Sequence, residues 1–298
     1  MKNKITLIIL LVASLFSVSC AKEEVKSLKI GLMPAVDIAP IMLAQKNGYF
    51  EEEGLDVDLE IYTSAQNRQT ALQTNEIDGA MTDIVALITN NAEGFGLKGV
   101  VSTDGMFPLL VNPEHKDDKD IKVGMMEISV SNYLVEQYLK DDYNYKKIYI
   151  TAIPTRLEAI STGEIDRGLI PEPVASIGEM NGLIKEVYDG IPKESLDILA
   201  FTDKAISEKS KSIELFIKAY GKAVEDINKD PSLARDVLME NIKTLPPQVK
   251  DSITLPEYKA PTLPSDEFIN ELVEWTSNLV GKTYDIKADD ILDRGFIK

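Results

Sequence analysis

The sequence predicts an α/β protein of two lobes with a ligand cleft between them, and three observations carry that expectation. Strand-like and helix-like segments alternate along most of the chain. The stretch 71–83, ALQTNEIDGAMTD, is echoed at 159–172 by AISTGEIDRGLIPE, each copy reading as a helix end, a turn, a short strand and an acidic residue where the strand stops. The length of 298 residues suits two lobes of about 100–150 residues each better than one small core. Together these read as one α/β unit present twice. Ligands of open α/β sheets sit beyond the carboxyl ends of the strands, so Asp83 and Glu172 are expected to face one another across the cleft.

Each element follows from local pattern. Residues 28–33 alternate and carry branched side chains as a strand, 34–37 form a turn, and 39–47 show helical apolar spacing closed by Gly48. A polar and apolar alternation at 56–62 gives the second strand, and 63–66 supply capping residues before a helix to Thr74. The strand at 79–81, the helix at 84–92 and the strand at 99–103 complete the first set. The charged run 115–120 after Asn112-Pro113 lacks apolar periodicity and reads as a solvated crossover, with His115 in solvent. A second set follows: strand 121–124, helix 131–140, strand 147–151, helix 155–162 and strand 168–170. A return crossing near 198–202 leads to a helical tail whose stripes at 213–227 and 268–280 are packing faces. The sheets should be mainly parallel. The expected boundaries are 28–112 plus 201–298 for the first lobe and 113–200 for the second, behind a tether at 21–27.

Residues 1–20 place Lys2 and Lys4 before an apolar run at 5–16 and a small-residue stretch at 17–19, the three-part layout of a secretory signal. The run is short for a permanent bilayer span. Cys20, the only cysteine, resembles the acylation site of bacterial lipoproteins; the alternative is an exported chain with an incidental thiol. With Cys20 lipidated, no thiol remains for disulfides or catalysis. The formal charge of −17, from 49 acidic and 32 basic side chains, repels phosphate backbones and argues against nucleic acid as a partner.

The segment 39–57, APIMLAQKNGYFEEEGLDV, resembles the solute-binding proteins of ABC importers, in the branch that handles alkanesulfonates, nitrate and the pyrimidine precursor of thiamine. Further matches at 77–78, 164–166, 171–173, 199–231 and around Trp275 extend the resemblance over most of the mature chain. It implies the type II periplasmic-binding-protein fold, lobe closure on a small molecule, and a permease with its ATPase as partners. A monomer anchored outside the cytoplasm through lipid on Cys20, with no cofactor or metal, is the corresponding expectation.

Strand-end loops should line the cleft. Those of the first lobe contribute Pro34, Asp37, Thr63, Ser64, Gln66, Asn67, Thr82, Asp83, Thr103 and Asp104. Those of the second contribute Glu127, Ser129, Ser131, Pro154 and Glu172, with 188–189 as a further loop. Thr63, Ser129 and Ser131 also suit helix caps, and Asp78 and Asp166 suit turn caps. Relatives that bind oxyanions carry glycine, serine and threonine in the loops matching 63–67 and 127–131. Here Asp37, Asp83, Asp104, Glu127 and Glu172 add carboxylates, which tilts the expectation toward a solute with amino or cationic nitrogen, such as an aminopyrimidine. Arg68 and Arg156, at helix starts, would pair with these acids or clamp an alkanesulfonate- or nitrate-type oxyanion instead. An enzyme resembling the fungal thiamine-pyrimidine synthases would need a cysteine-rich segment and active-site histidines, and the chain has one Cys and one His. A surface adhesin or sensor lipoprotein is the remaining rival, and it gives no reason for polar loops recurring at strand ends in both lobes.

Overall fold

The computed structural model describes residues 24–297 other than 141 and 189; the signal segment with Cys20 and residues 21–23 of the tether lie outside the described residues. Ten strands form two five-stranded sheets. In the first the order is β2 (Val57–Ile61), β1 (Leu28–Leu32), β3 (Gly79–Asp83), β10 (Asp197–Thr202) and β4 (Leu97–Thr103). In the second it is β7 (Asn144–Tyr149), β6 (Asp120–Met125), β8 (Arg167–Leu169), β5 (Leu109–Val111) and β9 (Ile184–Glu186). Each sheet is parallel except for one reversed strand, β10 in the first and β5 in the second. The reversed strand is in each case the one that arrives directly from the other lobe.

Two sequence expectations change here. The charged run 115–120 is not a crossing: it links β5 to β6 inside the second sheet, and the chain crosses earlier, between Thr103 and Leu109. Residues 198–202 are not a crossing either. They belong to β10, whose DILAFT segment is buried throughout between β3 and β4, so the return crossing is the segment 187–196. A continuously apolar strand lacks the alternation that marks a half-exposed one, and this is why the segment did not read as a strand. His115 is half-buried rather than free in solvent, with Nδ1 2.9 Å from Asp118 and Nε2 3.7 Å from Asp166.

The internal echo is a three-dimensional repeat. Asp78 accepts the Lys29 N–H at 2.8 Å, and Asp166 accepts the Lys122 N–H at 2.7 Å, tying the start of the third repeat strand to the first in both lobes. Gly31 and Gly124 occupy equivalent places in β1 and β6. A Cβ at Gly31 would stand 2.6 Å from Ile77 Cδ1 and 3.2 Å from Arg68 Cγ; one at Gly124 would collide with Ile165 Cδ1 and stand 3.2 Å from Arg156 Cγ. Glycine therefore gives both arginine stems room to lie along the sheet.

The helical tail packs on the first lobe. The helix Asp203–Lys229 buries Ile213, Phe216, Ile217, Tyr220 and Val224, and Phe216 stacks on Phe50 with centroids 4.8 Å apart. The tail also joins the lobes. The helix Asp266–Val280 lies on Ile84–Ala92 of the first lobe and presents Phe268 and Trp275 to Tyr133 of the second-lobe helix Val130–Leu139, edge-on at 6.5 and 5.5 Å. Tyr133 OH donates to Glu271 at 2.6 Å and the Trp275 indole N–H to Glu136 at 2.7 Å. Edge-on aromatic pairs contribute about 0.5–1.5 kcal/mol each beyond their buried area. No helix among the described residues is long and apolar enough to cross a membrane.

Candidate functional site

The carboxyl edge of the first sheet is acidic and largely buried. Asp37 sits in the single 3-10 turn Val36–Ile38 that follows β1; it is 3% exposed, takes the Thr103 hydroxyl at 3.3 Å on Oδ2, and leaves Oδ1 buried without a hydrogen-bond donor. Burial pushes its carboxyl up to about 7, against the pull of its own backbone N–H, Thr103 and Arg68. Asp83 ends β3 and caps the helix Ile84–Ala92 by accepting the Ala86 N–H at 2.7 Å. Burial raises its pKa too, opposed by Ala86, by Arg68 and by the N–H groups of Val85 and, from the facing lobe, Val130. Asp197 opens β10; its pKa stands well above the usual range through burial and then through the charges of Asp37 and Asp83. Asp104, raised by burial, takes the Lys259 N–H at 2.8 Å.

Arg68 serves Asp37, Asp83 and Asp197, while Lys259 favours the charge of Asp104. Arg68 is 8% exposed, donates to Thr82 at 3.2 Å, and has its charge favoured by Asp83, Asp197 and Asp37 against the cost of burial. Two tyrosines from the tail complete the floor. The Tyr220 hydroxyl is buried without a partner and feels Asp104 and Asp37, while Tyr258 donates to the Val36 carbonyl at 2.8 Å. Buried Asp37 and Asp197 and half-buried Asp83 share one arginine and are held toward their neutral forms, so a cationic or amino group would favour their ionisation.

Beside this floor lies a cavity of about 500 Å³, bounded by both crossing segments and the tail loop 256–259. Asp104 and Gly105 line it, and Gly105 lies directly against the Asp197 carboxylate. Phe107, Tyr138 and Tyr188 give it an aromatic wall, the two tyrosine rings stacked at 4.2 Å. Its size falls in the usual range for small-molecule sites, roughly 300–1,000 Å³.

Glu172 does not face Asp83. Its carboxylate is fully buried and saturated: it accepts the Ser176 N–H and hydroxyl at 3.0 and 2.8 Å, the Thr254 N–H at 3.2 Å, and pairs with Lys185 at 3.0 Å. Lys185 in turn donates to the Ser252 carbonyl at 2.9 Å. The pair clasps the second lobe to the tail. Ser129 and Ser131 also satisfy one another, with Ser129 capping the helix Val130–Leu139 and Ser131 accepting the Met126 N–H at 3.0 Å. Ser64, rather than Thr63, caps the helix Ala65–Gln73. Thr63, Gln66, Asn67, Glu127 and Pro154 are exposed, and Pro34 is half-buried.

The structure thus brings together Asp37, Thr82, Asp83, Thr103 and Asp104 from the residues singled out in sequence, and adds Asp197, Tyr220 and Tyr258. Asp197 carried a signal, an acid opening an apolar run, that reading 198–202 as a crossing concealed. Among the described residues no group of three or more His, Cys, Asp or Glu side chains is arranged to hold a metal ion.

Comparison with known proteins gives a consistent picture. Residues 35–234 match the family described as NMT1/THI5 like. A protein of Brachyspira hyodysenteriae named as an ABC transporter periplasmic binding protein is 22% identical over 267 residues, 79% of this chain and 77% of its own length. The ligand-binding component of an ABC-type import system from Staphylococcus aureus, solved with zinc bound, superposes with a TM-score of 0.76 at 18% identity, covering 91% of this chain and 97% of that one. The alkanesulfonate-binding protein SsuA of Xanthomonas axonopodis pv. citri, bound to MOPS, gives 0.75 at 16% identity over 92% of this chain and 100% of its own. These neighbours have the periplasmic-binding-protein fold, and the present chain shares it.

Proposed function

This chain belongs to the NMT1/THI5-like family, and from that premise we propose that it is the solute-binding component of an ABC importer, working outside the cytoplasm. Residues 1–20 direct export, lipid on Cys20 holds the protein at the membrane, and the monomer delivers its cargo to a permease and its ATPase. Ligand bridging both lobes stabilises the closed arrangement that the permease reads. The solute carries amino or cationic nitrogen, in the class of aminopyrimidines.

The observation that carries this reading is the cluster of buried Asp37 and Asp197 with half-buried Asp83 around the single guanidinium of Arg68. An oxyanion placed there would add repulsion to carboxylates that are already pushed toward their neutral forms by burial. A flat ring bearing amino groups favours their ionised forms and suits the aromatic side of the adjoining cavity.

The test is thermal unfolding of the chain from residue 21 onward, freed of bound solute by refolding, against aminopyrimidines, flavins, alkanesulfonates, nitrate and amino acids. A ligand at a hundred times its Kd stabilises by about 2.7 kcal/mol, seen as a rise of several degrees. Aminopyrimidines are expected to give that rise, and Asp37→Asn with Asp197→Asn to remove it. A rise with alkanesulfonate or nitrate alone would reverse the assignment of solute class.

A further inference from the structure

Among the described residues, Arg156 is a buried arginine whose guanidinium is without a hydrogen-bond or ion-pair partner. It is 3% exposed, and its Nε and Nη1 have no hydrogen-bond acceptor. Burial alone lowers its pKa, to about 10, with no carboxylate acting to raise it. The contrast with Arg167 in the same lobe is instructive. Arg167, fully buried, pairs with Glu186 at 3.0 Å, donates to the Lys116 carbonyl at 3.1 Å and lies over the Tyr143 ring. Arg167 is held by the fold; nothing described holds the head of Arg156.

Its direction follows from the backbone. Arg156 is in the first turn of the helix Ile153–Ser161, which begins just after β7 ends at Tyr149, at the carboxyl edge of the sheet. Helical side chains lean toward the helix N-terminus, so its stem runs toward that edge. The stem passes over Gly124, one residue from the end of β6, with Cγ and Cδ 3.2 and 3.4 Å from where a Cβ would stand. The stem therefore heads toward the carboxyl edge of the second sheet, where the strand-end loops lie. Its repeat mate Arg68 takes the same path over Gly31 and reaches the Thr82 hydroxyl. At the place matching Thr82 the second lobe has Ile170, fully buried, which offers no side-chain acceptor.

We propose that Arg156 is the second lobe's anchor for the solute, binding an oxygen of a carbonyl or carboxylate. With the acids of the first lobe taking a nitrogen, the solute is amphoteric: an amino heterocycle whose far edge carries an oxygen acceptor. This rests on the binding-protein reading given above. It also explains why a desolvated guanidinium is left without a partner inside the protein: its acceptor arrives with the cargo.

The experiment uses Arg156→Met and Arg156→Lys with two matched probes, 4-aminopyrimidine and 4-aminopyrimidine-5-carboxylate. Without solute, Arg156→Met is expected to raise the thermal midpoint by roughly 2–4 °C, because an uncompensated buried charge is replaced by an apolar chain of similar length. Wild type is expected to bind the carboxylate probe at least about tenfold more tightly than the parent ring, Arg156→Met to bind both equally, and Arg156→Lys to keep part of the preference. A midpoint that is unchanged or falls in Arg156→Met, or a preference that survives it, overturns the proposal. If wild type responds to neither probe, the solute assignment fails, while the solute-free midpoint still decides whether the guanidinium is unmet in the fold.

Discussion

Asp37 is the residue through which pH reaches the site. Its folded pKa of about 7 lies above the unfolded value of about 3.9, so the native state binds this proton more tightly than the unfolded chain does. The stability associated with that proton is full below about pH 4 and is lost as pH rises to about 7. Asp37→Asn should therefore raise the solute-free melting temperature most at pH 8, by several degrees, and little at pH 4.5, which melts across that range will show. Asp197 follows suit, because Asp37 is the first charge opposing its ionisation after burial itself. A cationic solute needs these carboxylates ionised, so its affinity, measured by titration calorimetry, should weaken by up to about tenfold per pH unit below pH 7. The acids at 37, 83 and 104 were legible in sequence because strand ends in an α/β repeat are marked positions. Asp197 and the two tyrosines were not, since their approach depends on a reversed strand and a distant helix.

At the scale of elements, each lobe is a short parallel unit that positions one arginine over one glycine. Gly31→Ala and Gly124→Ala are expected to destabilise by about 1–3 kcal/mol, since a methyl must displace Ile77 or Ile165 and then the arginine stem. Both should also weaken solute binding, measured by the thermal shift at fixed solute. Gly163→Ala, in a half-buried left-handed turn next to the same repeat, should share the stability loss but spare binding. The helices at 39–46, 65–73, 84–92 and 153–161 could be placed from apolar spacing and from the turn and cap residues between strands. The strands β5 and β9, three residues each, gave no pattern long enough to detect. β10 was hidden for the opposite reason, being buried on every side.

For the whole molecule, the two lobes and their order could be inferred from the echo, whereas the way they are fastened could not. Glu172 was expected in the cleft because the repeat places it at a strand end, yet the Ser176 N–H and hydroxyl, the Lys185 ammonium and the Thr254 N–H of the tail loop consume it. Those partners lie up to 82 residues away in sequence, beyond the reach of any local pattern. Lys185→Met leaves the Glu172 charge buried with fewer donors and should cost about 3 kcal/mol, a fall in melting temperature of roughly 6–12 °C. Solute affinity should change less than about threefold, because the bonds of Lys185 and of the Glu172 carboxylate go to Ser176, Ser252, Thr254 and Glu179 rather than to the acid floor. The contact between Tyr133 and Trp275 has a different use. Trp275 is the chain's only tryptophan, rooted in the tail helix and bonded through its indole to Glu136 of the opposite lobe. Any parting of the lobes must hydrate that ring and shift its emission to the red, so the protein carries an intrinsic optical gauge of its own closure, readable in the native sequence without a label.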